Sequence, residues 1–217
     1  MMPVTIQLAL SWMGVILVLF LIYFLVIIRI IRYFTHFPIP SCAVRLIDNP
    51  IRRRIQPSRT VVDCIDIHEG MRVLEIGPGS GTFTVEAAAR ASKGMLIALD
   101  IQTAVISTLM RRLSREDVTI TVVPIVASVY ELPFQPRTFD RIFMITVLAE
   151  IPHRKKALQE ISRVLNDEGL LAIGEFLPDP DYPRRKTVVK WCADAGFEVA
   201  GEHGGILSYV LNFAKAH

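Results

Sequence analysis

Residues 72–84, RVLEIGPGSGTFT, allow few folds, because a short apolar run passes an acid, Glu75, and then opens into three alternating glycines. These are Gly77, Gly79 and Gly81. Glycine lets the backbone turn sharply and approach a ligand with no side chain in between. A helix that begins near Thr82 would direct free N–H groups at that ligand. The segment therefore predicts a strand, a turn and a helix around a nucleotide-type pocket.

The spacing of the glycines separates the candidate ligands. A dinucleotide fingerprint, G-x-G-x-x-G, requires glycine at position 82, where this chain has Thr82. A phosphate-binding P-loop requires G-K-[ST], and no lysine follows these glycines. The pattern that remains is E-x-G-x-G-x-G.

A second acid follows the glycine motif along the chain. Residues 94–100, GMLIALD, read as a short buried strand that ends in Asp100, and residues 102–113 read as a helix. A carboxylate in this place accepts hydrogen bonds from ribose hydroxyls. It also fits a dinucleotide ribose, and it can cap the next helix, so Asp100 indicates a nucleoside without choosing the cofactor.

The motif E-x-G-x-G-x-G resembles the first motif of class I S-adenosylmethionine-dependent methyltransferases. Two further segments, ELPF at 131–134 and TFDRIFMITVLAEIP at 138–152, resemble the regions around the third and fourth strands of that family. The resemblance covers residues 57–215. Within the family, this segment is similar to quinone-pathway and phospholipid N-methyltransferases and to methyltransferase type 11 domains.

The resemblance implies an α/β fold, a Rossmann-like, seven-stranded, doubly wound sheet of order 3-2-1-4-5-7-6 with the last strand antiparallel. We expect a helix at 154–166, a strand at 169–176, and a closing pair of strands at 195–199 and 205–215. The cofactor would lie across the carboxyl ends of the strands.

The resemblance also assigns S-adenosyl-L-methionine as the cofactor and nominates residues for it. Glu75 and the glycine loop would hold the methionyl portion, and Asp100 the ribose. Ile101 and Val129 would cover the adenine faces. The cofactor-binding residues are Glu75, Gly77, Gly79, Gly81, Asp100, Ile101, Ser128, Val129 and Thr146.

The acceptor side is less defined by the sequence. Glu150 and His153 follow the fourth strand, where the family faces its substrate, and we name them as substrate-side candidates. A base is needed only if the nucleophile arrives protonated, so no catalytic residue is assigned. The family has an acid where this chain has Ser128, and a hydroxyl makes a weaker contact than a carboxylate.

The N-terminal part of the chain has a different composition. Residues 8–28 contain no charge, and 15 of these 21 residues are Leu, Ile, Val or Phe. A helix of that length covers about 31 Å, close to the thickness of a hydrocarbon core. A cleaved signal peptide would have a basic start and a shorter apolar run. We therefore expect a transmembrane anchor at 1–34, a basic linker containing prolines at 35–57, and a methyltransferase domain at 58–217.

Basic residues after the span predict the orientation of the protein. Residues 1–59 hold 7 Lys and Arg with one acid, whereas residues 60–217 hold 17 Lys and Arg with 20 acids. Lys and Arg favour the cytoplasmic side. This predicts a single-pass protein of the cytoplasmic membrane, with its N-terminus outside and its catalytic domain in the cytoplasm.

The expected partners follow from the same pattern. A lipid bilayer explains the basic cluster better than nucleic acid, because the core lacks a basic face with interleaved aromatic residues. A solvated face explains part of the cluster equally well. The three cysteines, Cys42, Cys64 and Cys192, are scattered without a C-x-x-C pair. This favours neither a disulfide framework nor a metal site, so we expect no metal.

The functional hypothesis is a methyltransferase acting on a lipid-soluble acceptor, either a phospholipid amine or an isoprenoid quinone precursor. A methyltransferase for a soluble small molecule or protein is an alternative. A catalytically silent scaffold with the same fold is another. A nicotinamide oxidoreductase is disfavoured by Thr82 and by the closing strand pair.

Overall fold

The computed structural model describes residues 6–7, 11–20, 23, 26–27, 50–116, 121–179 and 181–216. The chain divides into two compact units, Met1–Phe37 and Pro38–His217. In the first unit the described residues are helical. The second unit contains the sheet and the cleft.

The predicted localisation as a single-pass protein of the cytoplasmic membrane is wrong. Among the residues with described structure, no helix is both long and apolar enough to cross a membrane. The longest helical run described in the first unit, 11–20, rises about 15 Å, roughly half of a hydrocarbon core. Residues 8–10, 21–22, 24–25 and 28 of the predicted span lie outside the described residues.

The described part of the second unit has six α-helices and seven strands. The helices are α1 (Pro50–Ile55), α2 (Ser58–Asp63), α3 (Thr82–Arg90), α4 (Thr103–Leu113), α5 (Arg154–Val164) and α6 (Arg185–Ala193). The strands are β1 (Arg72–Ile76), β2 (Met95–Asp100), β3 (Thr121–Val126), β4 (Phe139–Ile145), β5 (Leu165–Phe176), β6 (Phe197–Gly204) and β7 (Ser208–Lys215). A short 3-10 helix, Leu148–Glu150, follows β4.

The seven strands form one sheet in the order β3-β2-β1-β4-β5-β7-β6. Strands β1 to β5 are parallel, and β7 is antiparallel to both β5 and β6. The predicted Rossmann-like fold and its strand order are confirmed. The predicted helix at 154–166 ends earlier, at Val164, because Leu165 already pairs with Phe139 as the first residue of β5.

The central strands are buried on both faces, as parallel strands between two helical layers must be. One layer, with α2, α3 and α4, packs through residues such as Val62, Ala87 and Leu109. The other layer, with α5 and α6, packs through residues such as Ile161 and Val188. The sheet therefore forms a rigid support, and the carboxyl ends of its parallel strands meet along one edge.

Truncation of a central core residue tests this packing. Phe143 on β4 is fully buried, so Phe143→Ala should lower the free energy of unfolding by about 3 to 5 kcal/mol. The control is Val199→Ala on β6, where the side chain is 39% exposed and the loss should stay below about 1 kcal/mol. Chemical denaturation followed by circular dichroism measures both. Equal losses in the two variants would contradict this description of the core.

Candidate functional site

A cleft lies at the carboxyl edge of the sheet, where β1, β2 and β4 end. It begins at the glycine loop after β1 and extends to the 3-10 helix after β4. Its lining residues include Ile76, Gly77, Gly79, Ser80, Thr82, Asp100, Ile101, Ser128, Val129, Thr146 and Glu150. In open parallel sheets this edge is where ligands bind.

The glycine loop adopts a backbone that side chains disfavour. Gly77, Gly79 and Gly81 have φ angles of +73°, +55° and +82°, in the left-handed region that glycine enters without steric cost. A Cβ atom on Gly77 would lie 2.5 Å from Cγ2 of Val147. The Gly77 N–H donates to the Leu99 carbonyl at 2.8 Å, which ties the loop to β2. The glycines thus bring the backbone against the start of the cleft.

Glu75 lies behind the loop and is not among the cleft-lining residues. Its side chain is 2% exposed, and its Oε2 atom has no hydrogen-bond partner among the described residues. Burial raises the pKa of this carboxyl to about 8, and the Thr84 hydroxyl and the Arg112 guanidinium act in the opposite direction. The orphaned oxygen is a vacant acceptor beneath the loop.

Asp100 ends β2 and lines the cleft. Its Oδ1 atom accepts a hydrogen bond from the Gln102 N–H at 2.8 Å, which fixes the carboxylate in a local turn. Burial raises its pKa, against the lowering effect of backbone N–H donors of Gln102 and Ile101. The N-cap residue of α4 is Gln102 and not Asp100. The acid therefore does not cap this helix, and the local turn holds its carboxylate at the cleft.

Three predicted adenine contacts follow β2 and β3. The Ile101 side chain lines the cleft although it is 61% exposed, which leaves an apolar face for a planar ligand. Val129 lines the same cleft. Ser128 Oγ accepts from the Tyr130 N–H at 3.2 Å, so its hydroxyl proton remains to donate to a ligand. The hydroxyl oxygen also keeps a second lone pair, so it can accept from an adenine amino group, the contact that the family's acid makes.

The far end of the cleft is built from the chain after β4. Thr146 has φ of +58°, and its hydroxyl donates to the Ile145 carbonyl at 2.7 Å while accepting from Arg52 Nη2 at 3.2 Å. Glu150, in the 3-10 helix, lines this end. A non-glycine residue at positive φ is costly and is retained where the surroundings demand it.

Two further predicted residues lie off the lining. Gly81 is the N-cap residue of α3 and packs against α4. His153 is the exposed N-cap residue of α5, and its backbone N–H donates to the Tyr130 hydroxyl at 3.2 Å. The structure therefore brings Glu150 into the cleft, but it brings His153 no further than the outer side of Tyr130.

Arg52 is a cleft residue that the sequence did not identify, because its basic cluster was assigned to lipid headgroups or solvent. It lies on α1, and its Nε donates to Gln56 Oε1 at 3.2 Å. Its guanidinium lies 5.7 Å from the ring centroids of both Phe83 and Phe176, within cation–π range. Arg52 and Thr146 are 94 residues apart in the chain, so no local sequence pattern indicates the contact between them.

Among the described residues there is neither a cluster of metal-ligating side chains nor a disulfide bond. No group of three or more His, Cys, Asp or Glu side chains is placed there to hold a metal ion. Cys64 and Cys192 are free thiols, and Cys42 lies outside the described residues. The expectation of no metal stays a prediction.

Residues 73–169 match the family model of a methyltransferase domain. This segment contains the glycine loop, Asp100 and the lining after β4. In this segment the chain is therefore similar to methyltransferase domains. The predicted methyltransferase enzyme class and the predicted cofactor, S-adenosylmethionine, are confirmed at the level of this domain.

Curated relatives match about half of the chain. The chain is 32% identical over 119 residues to the ubiquinone/menaquinone biosynthesis C-methyltransferase of Idiomarina loihiensis, which is 54% of this chain and 47% of that protein. The protein of the same description from Vibrio cholerae is 31% identical, over 54% of this chain and 46% of that protein. The chain thus spans about half the length of the curated relatives it matches.

Solved structures share the fold at lower identity. A SAM dependent methyltransferase from Aquifex aeolicus superposes with a TM-score of 0.76 at 21% identity, covering 82% of this chain and all of that one. The PH0226 protein from Pyrococcus horikoshii gives a TM-score of 0.62 at 20% identity, covering 78% of this chain and 93% of that one. These likenesses show the fold of the methyltransferase domain.

The residues of the cleft fit S-adenosylmethionine. Gly77 and Gly79 line the cleft without side chains, so the methionyl portion can approach the backbone there, and the buried Oε2 of Glu75, which has no partner among the described residues, lies beneath the loop. The Asp100 carboxylate and the exposed face of Ile101 lie in order along the cleft. The cleft thus offers an apolar surface for the adenine, an acid for the ribose and the glycine loop for the methionine portion of the cofactor.

A matched pair of glycine variants tests the loop. Gly77→Ala adds a Cβ 2.5 Å from Val147 at φ +73°, whereas Gly196→Ala has φ +86° and no atom within 4 Å. Both should lose about 1 to 3 kcal/mol of stability from the positive φ. Gly77→Ala alone should weaken S-adenosylmethionine binding, by about tenfold or more, in calorimetric titration. Equal affinities would contradict a cofactor site at this loop.

The buried Glu75 predicts a pH dependence of stability. Its pKa is about 8 in the folded chain against an ordinary 4.5, so between these values the folded state holds a proton that the unfolded state has lost. The free energy of unfolding therefore falls as pH rises through this range. Glu75→Gln removes that contribution, while Glu175, whose pKa burial also raises, still contributes in the same direction.

The gain in stability of Glu75→Gln over the wild type should therefore grow between pH 5 and pH 8. Denaturant midpoints at four pH values measure it. A difference between the two proteins that does not change with pH would exclude Glu75 as a buried, protonated acid.

Proposed function

We propose that the whole protein transfers the methyl group of S-adenosylmethionine to a ring carbon of an isoprenoid quinone precursor, a lipid-soluble acceptor. The observation that carries this proposal is the match to C-methyltransferases of ubiquinone and menaquinone biosynthesis over 119 residues, about half of the chain. A phospholipid amine, the other acceptor considered from the sequence, has no comparable support.

The chemical character of the cleft supports an apolar, flat acceptor. Beyond the glycine loop, its wall is formed by the aromatic ring of Tyr130 and by apolar side chains. The residues of this wall are Phe83, Tyr130, Val147, Ile151 and Pro152. A quinone precursor presents a planar ring and an apolar chain to such a wall, and apolar burial favours its binding.

Bound in this cleft, S-adenosylmethionine supplies a sulfonium methyl group whose leaving group is already activated. The protein's task is then to hold the acceptor in line at near-attack distance. The glycine loop and Asp100 would orient the cofactor at one end of the cleft. Thr146, fixed by Ile145 and Arg52, shapes the opposite end of the cleft. Its strained φ and two hydrogen bonds make this a rigid wall.

Glu150 is the acceptor-side acid that the proposal uses. It lines the cleft one turn beyond Thr146, within reach of an acceptor hydroxyl that must lose a proton before a ring carbon becomes nucleophilic. The predicted substrate-side role of His153, which lies outside the cleft lining, stays a prediction. A lipid bilayer as a partner, and no nucleic acid, also stay predictions.

A transfer assay tests the proposal. The purified protein is incubated with methyl-labelled S-adenosylmethionine and one of three detergent-dispersed acceptors: an isoprenoid quinol lacking its ring methyl group, the same quinol ring without the isoprenoid chain, or phosphatidylethanolamine. Label should enter the isoprenoid quinol and stay after mild acid and base, because a carbon–methyl bond resists hydrolysis.

The control variants are Asp100→Ala and Asp194→Ala. Asp100 lines the cleft, whereas Asp194 is an exposed acid at the end of α6. Transfer should fall by about a hundredfold or more in the first and be unchanged in the second. Label in phosphatidylethanolamine would contradict a quinone precursor as the acceptor and would indicate a phospholipid amine instead. Binding of S-adenosylmethionine without transfer to any acceptor would favour the catalytically silent scaffold.

A further inference from the structure

The C-terminal end of the glycine loop is contacted from behind by one long side chain. Arg112, on α4, donates from Nη1 to the Ser80 carbonyl at 3.2 Å and to the Thr82 hydroxyl at 3.2 Å. The hydroxyls of Ser80 and Thr82 are themselves 3.0 Å apart. These two residues line the cleft on their other side. The guanidinium therefore fixes a stretch of loop whose front face is the binding site.

The fit of the loop against α4 is close. Gly81, between the two contacted residues, has φ of +82°, and a Cβ there would lie 2.6 Å from Leu109 Cδ1 and 3.3 Å from Arg112 Cδ. Leu109 is fully buried. Gly81 is the N-cap residue of α3, and no side chain forms a capping hydrogen bond there. Contacts from α4 therefore hold this first turn in place, although the guanidinium only donates and does not accept from the free N–H groups as a capping side chain does.

The same guanidinium acts on the buried acid beneath the loop. Among the described residues, the polar groups that act on the Glu75 carboxyl are the Thr84 hydroxyl of α3 and Arg112 of α4. Its strand partners on either side, Ala98 of β2 and Phe143 of β4, are apolar. Arg112 is thus the cationic group that favours the ionised form of Glu75, against the effect of burial.

We propose that Arg112 is a positioning residue for the cofactor: from α4 it holds the Ser80–Thr82 end of the glycine loop. This inference rests on the use of S-adenosylmethionine in the proposed function. The ammonium group of the cofactor's methionyl portion is recognised by an ionised acid and by loop acceptors. Arg112 prepares both, and it does so without contacting the ligand.

The role differs from a general contribution to stability. Arg112 also lies 3.6 Å from Glu116 in an ion pair of the helix surface, and such exposed pairs contribute little. The variant Glu116→Gln removes that ion pair alone and keeps the contacts between Arg112 and the glycine loop. Its neighbour Arg111 is exposed and bonds within its own helix, to the Ser107 carbonyl and the Thr108 hydroxyl. The two residues supply matched controls.

The test compares Arg112→Met, Arg112→Lys, Arg111→Met and Glu116→Gln with the wild type. Calorimetric titration with S-adenosylmethionine from pH 6 to pH 9 gives the affinity profile. Arg112→Met should weaken binding by about tenfold at pH 7 and move the pH at which binding strengthens to a higher value. Arg112→Lys should recover part of both. Arg111→Met and Glu116→Gln should match the wild type.

A Glu75→Gln background separates the two actions of Arg112. There the effect of Arg112→Met on the pH profile should vanish, while its effect on affinity through the loop persists. A structural role alone would lower the melting temperature and leave the pH profile in place. An Arg112→Met profile that coincides with that of Arg111→Met overturns the inference.

Amide hydrogen exchange in the free protein gives a measurement that needs no cofactor. The amides of residues 79–85 should exchange about fivefold faster or more in Arg112→Met and at the wild-type rate in Glu116→Gln. Unchanged exchange in Arg112→Met overturns the inference. Failure of the wild type to bind S-adenosylmethionine, with the exchange result as expected, would refute the proposed function while retaining Arg112 as the residue that holds the loop.

Discussion

The site depends on a steric constraint at the end of β1, where the backbone passes through three positive φ angles and is held between Val147 on one side and Leu109 on the other. A Cβ atom on Gly77 would collide with Val147, and one on Gly81 would collide with Leu109. The close contact lets the chain turn directly from a buried strand into helix α3, and it brings the loop to the edge where β2 and β4 also end. The cleft is a consequence of this turn, and the residues along it are positioned by strands that cannot shift independently.

Charge is distributed along the cleft in a way that suits a cofactor with both polar and apolar parts. Two acids lie in or beneath the cofactor half: Glu75 has a raised pKa because of burial, and the half-buried Asp100 is held by a backbone donor. Cations approach from two helices: Arg112 from α4 at the loop and Arg52 from α1 at the acceptor end. The apolar wall between them supports the proposed flat, lipid-soluble acceptor. Asp100, Arg52 and Arg112 each have at least one fixed partner, which keeps the site pre-organised for an in-line transfer.

The features that the sequence predicted are those encoded by residues close together in the chain. The strand, glycine turn and helix at 72–90 and the acid at the end of β2 follow from local spacing, and the closing strand pair was expected within a few residues of its observed limits. Arg52 and Arg112 were not identified, because their contacts span 94 and 32 residues and depend on how α1 and α4 pack. Helix α6 was not predicted: Val188 and Cys192 are its fully buried side chains, so its apolar period is weak. The localisation was wrong because a hydropathy count over residues 8–28 does not determine whether those residues form one long helix.

The account makes one central claim: the glycine loop and Asp100 bind S-adenosylmethionine at the carboxyl edge of β1 and β2. A crystal structure of the protein with S-adenosylhomocysteine, the product of methyl transfer, measures this directly. It should show the ribose hydroxyls on the Asp100 carboxylate, the adenine ring against Ile101 and Val129, and the amino acid portion over residues 77–81. A nucleoside bound elsewhere on the chain, or one whose ribose makes no contact with Asp100, would contradict the account.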